Sequence, residues 1–248
     1  MNKNKKYTFK IAQEEFFNNG KIILNSRKKL KKDLTDVLSG EYYVETTTRK
    51  TKLKGSYPGI TASSLNEVLR EALTKIEDIN TETYAENGYF LHYTKKGFDF
   101  SIYDNNYNLS NIYNYYLGSV GILNGNEKIL DLHTKLKSYS KNEWKREIIR
   151  LSQKARTKNT DYHVEKKKLT MVGELQFGNW ALIYRDLFRL LHANNNPGID
   201  FYIYITATGT LKDMISSNTV NYDSANKVIS EYINLIPVPT WLIGLDVN

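Results

Sequence analysis

Apolar side chains along the chain recur with two periods, and each period marks a kind of element. Leu30, Leu34 and Leu38 stand four apart among clusters of lysine, so the stretch from Ser26 to Leu38 predicts an amphipathic helix. A second helix is predicted from a cap at Ser63 or Ser64 to about Ile76, with Leu65, Val68, Leu69, Ala72, Leu73 and Ile76 on its apolar side. Residues 46–59 hold threonines, basic side chains and a Gly/Pro turn, and read as a basic loop or edge strand. Residues 80–125 are rich in Tyr and Asn, with a hairpin predicted from residues 89–93 and 98–103 around Lys95-Lys96-Gly97. A basic helix follows over 141–156, burying Trp144, Ile148, Ile149 and Leu151.

The C-terminal third has the sharper pattern. Strands are predicted at 162–165 and 169–177, joined by a lysine turn, then a helix over 179–193 that Asn194-Asn195-Asn196-Pro197-Gly198 stops. A strand at 201–206, a helix at 224–235 and a last strand at 240–247 complete the series. This order predicts an α/β fold, a mixed five- to six-stranded sheet flanked by helices, in one domain over 1–248.

Composition narrows the chemistry. The chain has 248 residues and no cysteine, which excludes disulfides, thiolate metal sites and cysteine nucleophiles. Its four histidines show no metal-ligand spacing. No apolar run approaches the roughly 20 residues of a membrane span, and the basic start is followed by no signal-peptide core, so a cytoplasmic protein with no membrane partner is expected. The net charge is +8 and is unevenly placed. Residues 1–59 hold 14 basic against 6 acidic side chains and residues 135–168 hold 12 against 4, whereas residues 171–248 hold 4 against 7. Two basic stretches before an acidic third point to a polyanionic partner.

The sharpest chemical feature is Gly173-Glu174-Leu175-Gln176-Phe177, at the end of a strand and before a helix. Alternation puts Glu174 and Gln176 on one face of that strand. With Lys167-Lys168 as a two-residue turn, Asp161 falls opposite Glu174, and two carboxylates about 5 Å apart at Cβ call for a cation between them. Slips of two or four residues would bring His163 or Glu165 there instead. Mg²⁺ suits such a site, because it takes carboxylate oxygens and keeps waters for a substrate phosphate. An exposed Glu-x-Gln on an edge strand is the plainer alternative.

The segment TDYHVEKKKLTMVGELQFGNWALIYRDLF resembles the active-site region of type II restriction endonucleases of the BglII/BamHI-like group, within the PD-(D/E)xK nuclease superfamily. That group carries E-x-Q-F where most of the superfamily has Lys, and here Glu174-Leu175-Gln176-Phe177-Gly178-Asn179-Trp180 matches it. The resemblance implies a core of about 160–248 plus 60–78, with 80–158 inserted. It implies Mg²⁺ held by Asp161 and Glu174, with Gln176 orienting the attacking water, and a homodimer that cuts double-stranded DNA at a short palindromic site. The group's usual spacing would put the first acid at Glu165. Glu67 and Glu71 are candidate auxiliary carboxylates, though a solvated helix face explains them as well. A structure-specific repair or junction nuclease and a non-enzymatic nucleic-acid-binding protein are the alternative functions.

Arg49, Lys50, Lys52 and Lys54 lie among threonines and suit phosphate contacts, and an Arg also suits guanine in the major groove. Asn179 and Asn195 are further candidates for DNA contact, Asn195 also being explained as part of a helix stop.

Overall fold

The computed structural model describes residues 3–51, 55–92, 97–136, 139–155, 160–194 and 198–248. Lys52, Lys54 and Asn195 lie outside them, and of Lys50 only the backbone is described. Nine strands among the described residues form one sheet, ordered β3-β2-β1-β9-β8-β7-β6-β4-β5. Their ranges are β1 Lys3–Phe17, β2 Glu41–Thr51, β3 Gly55–Ile60, β4 Asn80–Glu86, β5 Tyr89–His92, β6 Phe98–Ile102, β7 Met171–Leu175, β8 Phe201–Ala207 and β9 Thr240–Val247. β7, β8 and β9 run parallel, and the other pairings are antiparallel.

The α/β class and the mixed sheet agree with expectation, but the sheet has nine strands rather than five or six. The additions are at its two edges. β1 was hidden by its lysines, although Tyr7, Phe9 and Ile11 alternate along it and pack into the core. β5 pairs with β4, which itself pairs with β6, so the expected hairpin between residues 89–93 and 98–103 does not form.

Helices cover both faces. On one side α1 (Gly20–Ser26), α2 (Lys28–Leu38) and α3 (Ala62–Leu73) lay Leu24, Leu34, Leu65 and Leu69 against Ile203, Ile205 and Ile243 of the sheet. Thr61, not Ser63 or Ser64, caps α3, its side chain accepting from Ser64 N. A separate cluster beside β5 joins α4 (Asn105–Leu117), α5 (Gly125–Asp131) and α6 (Lys141–Lys154) around Trp144, whose indole donates to Ile129 O at 2.6 Å. On the second face α7 (Leu182–Asn194) and, after the short α8 (Gly209–Met214), α9 (Tyr222–Glu231) bury Ile183, Leu187, Leu190, Val228 and Ile229 against Tyr202, Tyr204 and Leu242. No described helix is long and apolar enough to cross a membrane.

Residues 80–102, expected within an insertion, build three strands of the sheet; the excursion between adjacent strands β6 and β7 is 103–170. Its last part is not the strand predicted at 162–165. Side chains of α4 and its cap take up its backbone instead: Asn114 exchanges bonds with Tyr162 N (2.7 Å) and O (3.1 Å), and Asp104 accepts from Lys167 N (3.0 Å). A segment so satisfied has no need of a strand partner.

Gly173 is required by close packing. A Cβ there would run into the Phe100 ring on the neighbouring strand. Gly173→Ala is expected to cost about 1–3 kcal/mol in chemical denaturation; a loss below about 0.5 kcal/mol would show that the ring yields freely.

Candidate active site

β7 sits between an antiparallel neighbour and a parallel one, and this decides what surrounds Glu174. The β6–β7 register pairs Ile102 with Met171, Ser101 with Val172 and Phe100 with Gly173. Just past the end of this ladder, Asp99 lies close enough to Glu174 for its charge to act on that carboxyl. Asp99 accepts from Leu175 N at 2.8 Å and is paired with Arg70 of α3 at 2.6 Å. On the other side Glu174 is registered with Tyr204 of β8.

The chain then turns into α7. Gln176 N donates to Ile205 O (2.8 Å), its Oε1 accepts from Gly178 N (3.0 Å), and Asn179 Oδ1 accepts from Ala181 N (2.9 Å). These bonds end the strand and start the helix. α7 presents an apolar stripe with two charged side chains set into it, Asp186 and Arg189, three residues apart and so on one face. Asp186 accepts from Gln176 Nε2 at 2.6 Å, and Arg189 Nη1 donates to Glu174 Oε1. The two residues of the Glu-x-Gln pair are thus each held by a side chain of the next helix.

The site is deeply set. Glu174 and Gln176 are buried and Asp186 is fully so, while Asp99, Arg70 and Arg189 give it a partly open side. Burial, then the charges of Asp186 and Asp99, push the Glu174 carboxyl well above the usual carboxylate range, against the pull of Arg189. Burial likewise raises Asp186, opposed by its bonds to Gln176 and Arg185. Tyr202 and Tyr204, buried beside these charges, have hydroxyls without a well-formed hydrogen bond, and burial raises both.

The expected first acid is elsewhere. Asp161 is exposed, and its carboxylate accepts from Ser119 N (2.9 Å) and Ser119 Oγ (3.1 Å). His163 and Glu165 are exposed on the same non-strand segment, Glu165 lining a cavity of about 170 Å³ with Arg150 and Tyr162. None of the three is on a strand beside β7, because that place belongs to β6. Glu67 and Glu71 are exposed on α3, and the α3 side chain that reaches the site is Arg70.

Two residues missed from sequence carried a signal. Asp99 is an acid between two phenylalanines in a strand, and Asp186 interrupts the inward stripe of a helix. Of the expected DNA contacts, Arg49 donates to Met214 O (3.0 Å) and Ile60 O (3.2 Å), which ties β2 to β3 and α8. Asn179 is exposed at the start of α7.

Asp99 and Glu174 on adjacent strands, Gln176 at the strand end, and Asp186 and Arg189 on the following helix thus form one largely buried charged cluster. Residues 124–245 match the model of the family described as restriction endonuclease BglII/BglIII. This segment, just under half of the chain, is similar to that family, and the match supports a type II restriction endonuclease of the BglII type. Its structure is also similar to that of restriction endonuclease BglII complexed with a DNA 16-mer, with a TM-score of 0.49 and 12% identity over 98% of this chain and 79% of that one. No curated protein matches the chain.

The raised Glu174 carboxyl has a consequence for activity. A carboxyl with a raised pKa takes up its proton early as pH falls, so the acid limb of a cleavage profile should lie clearly above the ordinary Glu value of about 4.3. It should move when Asp186 is changed to Asn. An acid limb at the ordinary value, unmoved in that variant, would contradict the assignment.

Proposed function

We propose that this endonuclease cuts double-stranded DNA at a short palindromic site as a homodimer, with Mg²⁺ held by Asp99 and Glu174. The observation that carries the reading is the placement of Asp99 beside Glu174, with Gln176 at the same strand end. All the donors are oxygen, and Mg²⁺ is bound by one or two carboxylates while its other positions go to water and phosphate. Among the described residues no group of three or more His, Asp or Glu side chains is placed to hold a metal ion. When bound, the cation supplies Lewis-acid polarisation of the phosphate and lowers the pKa of a water.

The chain's own groups then have separate tasks. Asp99 and Glu174 bring the negative charge that holds the cation. Gln176, neutral at all working pH, neither takes a proton nor adds charge, so its task is orientation. Its amide is fixed in one sense, with Nε2 on Asp186 and Oε1 on Gly178 N. One amide hydrogen and one carbonyl lone pair are left to align a water. The basic side chains of α2 and α6 supply phosphate contacts, with the salt dependence that such contacts carry.

A homodimer is supported by α7 and the turn after α9. Trp180 and Phe188 are exposed, as are Tyr232 and Leu235, and ring contacts link Trp180 to Tyr184 (6.2 Å) and Tyr184 to Tyr232 (6.1 Å). An aromatic patch of this kind suits a self-complementary surface, and twofold symmetry matches a palindromic site.

Incubation with phage DNA and Mg²⁺ should give discrete fragments. Asp99→Asn should lower the cleavage rate by at least about 100-fold while DNA binding in Ca²⁺ survives, whereas Asp161→Asn should change it by less than about threefold. The reverse ranking would return the first acid to Asp161. Phe188→Glu should convert a dimer to a monomer in analytical ultracentrifugation, and an unchanged mass would place the interface elsewhere.

A further inference from the structure

Arg189 occupies the place where a cation would meet Glu174. Its Nη1 is bonded to Glu174 Oε1 and lies 3.7 Å from Asp186 Oδ1, and its guanidinium carbon is 5.7 Å from the Phe98 ring centre. The Glu174 side chain is only 3% exposed, so no water layer separates its charge from its partners. A divalent cation and a guanidinium on one buried carboxylate would repel each other strongly.

We propose that Arg189 is the resident counter-cation of Glu174, and that a divalent metal binds there by displacing it. The inference rests on the metal reading above. Two features of the structure make the displacement practicable. Asp186 does not lose its only counter-ion, because Arg185 also donates to its Oδ1 from Nε (3.1 Å) and Nη2 (2.8 Å). The Arg189 side chain is 15% exposed, so it has an open side toward which to swing. A guanidinium keeps its charge at any working pH, so Arg189 leaves Glu174 by moving away as a cation and not by losing a proton. Arg189 in this view is a positioning residue: it holds the buried Glu174 carboxyl in place until the metal arrives.

The test is Mn²⁺ binding to the full, DNA-free chain by calorimetry. Arg189→Gln should bind Mn²⁺ at least about tenfold more tightly than the unmodified protein, with Arg189→Lys between them. Adding Glu174→Gln should remove the gain. If Arg189→Gln binds no more tightly while Glu174→Gln still weakens binding, the displacement idea fails and the metal reading stands. If the double variant binds as well as Arg189→Gln, the metal is not at Glu174 and both fall. Should Arg189→Gln not fold, the unmodified protein decides. Its Arg189 Nε–H resonance, assigned by its absence in Arg189→Lys, should shift with Mg²⁺ at the calorimetric midpoint. A resonance that does not respond overturns the inference.

Discussion

Burying the Glu174 carboxylate between the sheet and α7 is the constraint on which the rest of the site depends. An ionised carboxylate removed from water costs several kcal/mol unless charge and hydrogen bonds meet it. Here three carboxylates are each met by an arginine: Asp99 by Arg70, Glu174 by Arg189 and Asp186 by Arg185. The fork of a guanidinium suits carboxylate pairs, and its charge survives burial where a lysine would more readily give up its proton. A filling of leucine and isoleucine would stabilise the same interface at least as well. Stability therefore does not account for the network, whereas the proposed binding of a cation would.

The sheet topology supplies the geometry. An antiparallel neighbour places residues opposite one another, and just past the Phe100–Gly173 pair it brings Asp99 of β6 beside Glu174. A parallel neighbour requires a crossover, and the crossover from β7 to β8 is α7, which is thereby laid over the face that carries Glu174 and Gln176. Asp186 and Arg189 then need only the spacing of one helical turn to reach both. One strand between two unlike neighbours thus assembles a carboxylate from one side and a helix of counter-charges from the other.

Much of this was legible in the chain, and what was not has physical reasons. Glu174 and Gln176 stand out because alternation and a strand-to-helix turn are local. An acid does lie beside Glu174 on an antiparallel neighbour of β7, but that neighbour is β6 and the acid is Asp99, not a residue of 160–168. Asp161 is the nearer acid along the chain, and the true neighbour is separated by the long excursion 103–170. No hydrophobic period reports which strands pair across such a gap. Residues 160–168 keep their polar backbone satisfied through Asn114 and Asp104, a tertiary arrangement with no sequence period. Arg49 looked like a surface phosphate ligand because its segment is basic, yet its guanidinium caps two carbonyls.

The position of α7 gives the proposed dimer and the proposed chemistry a common part. Its inner face carries Asp186 and Arg189, and its outer face carries Tyr184 and the exposed Phe188. Side chains on opposite faces of one helix move together unless the helix bends, and α7 has no proline or glycine to bend it. A second copy packed on Phe188 would therefore also restrict the rotation and sliding of Asp186 and Arg189 over Glu174 and Gln176. In a palindromic site both strands must be cut, and two active sites whose counter-charges sit on the helices at a shared interface would be held in the same state. The excess of basic residues in 1–59 and 135–168 provides attraction to the DNA backbone. The acidic C-terminal third, with its few arginines placed against carboxylates, would in the proposed reading set where along that backbone a metal is held.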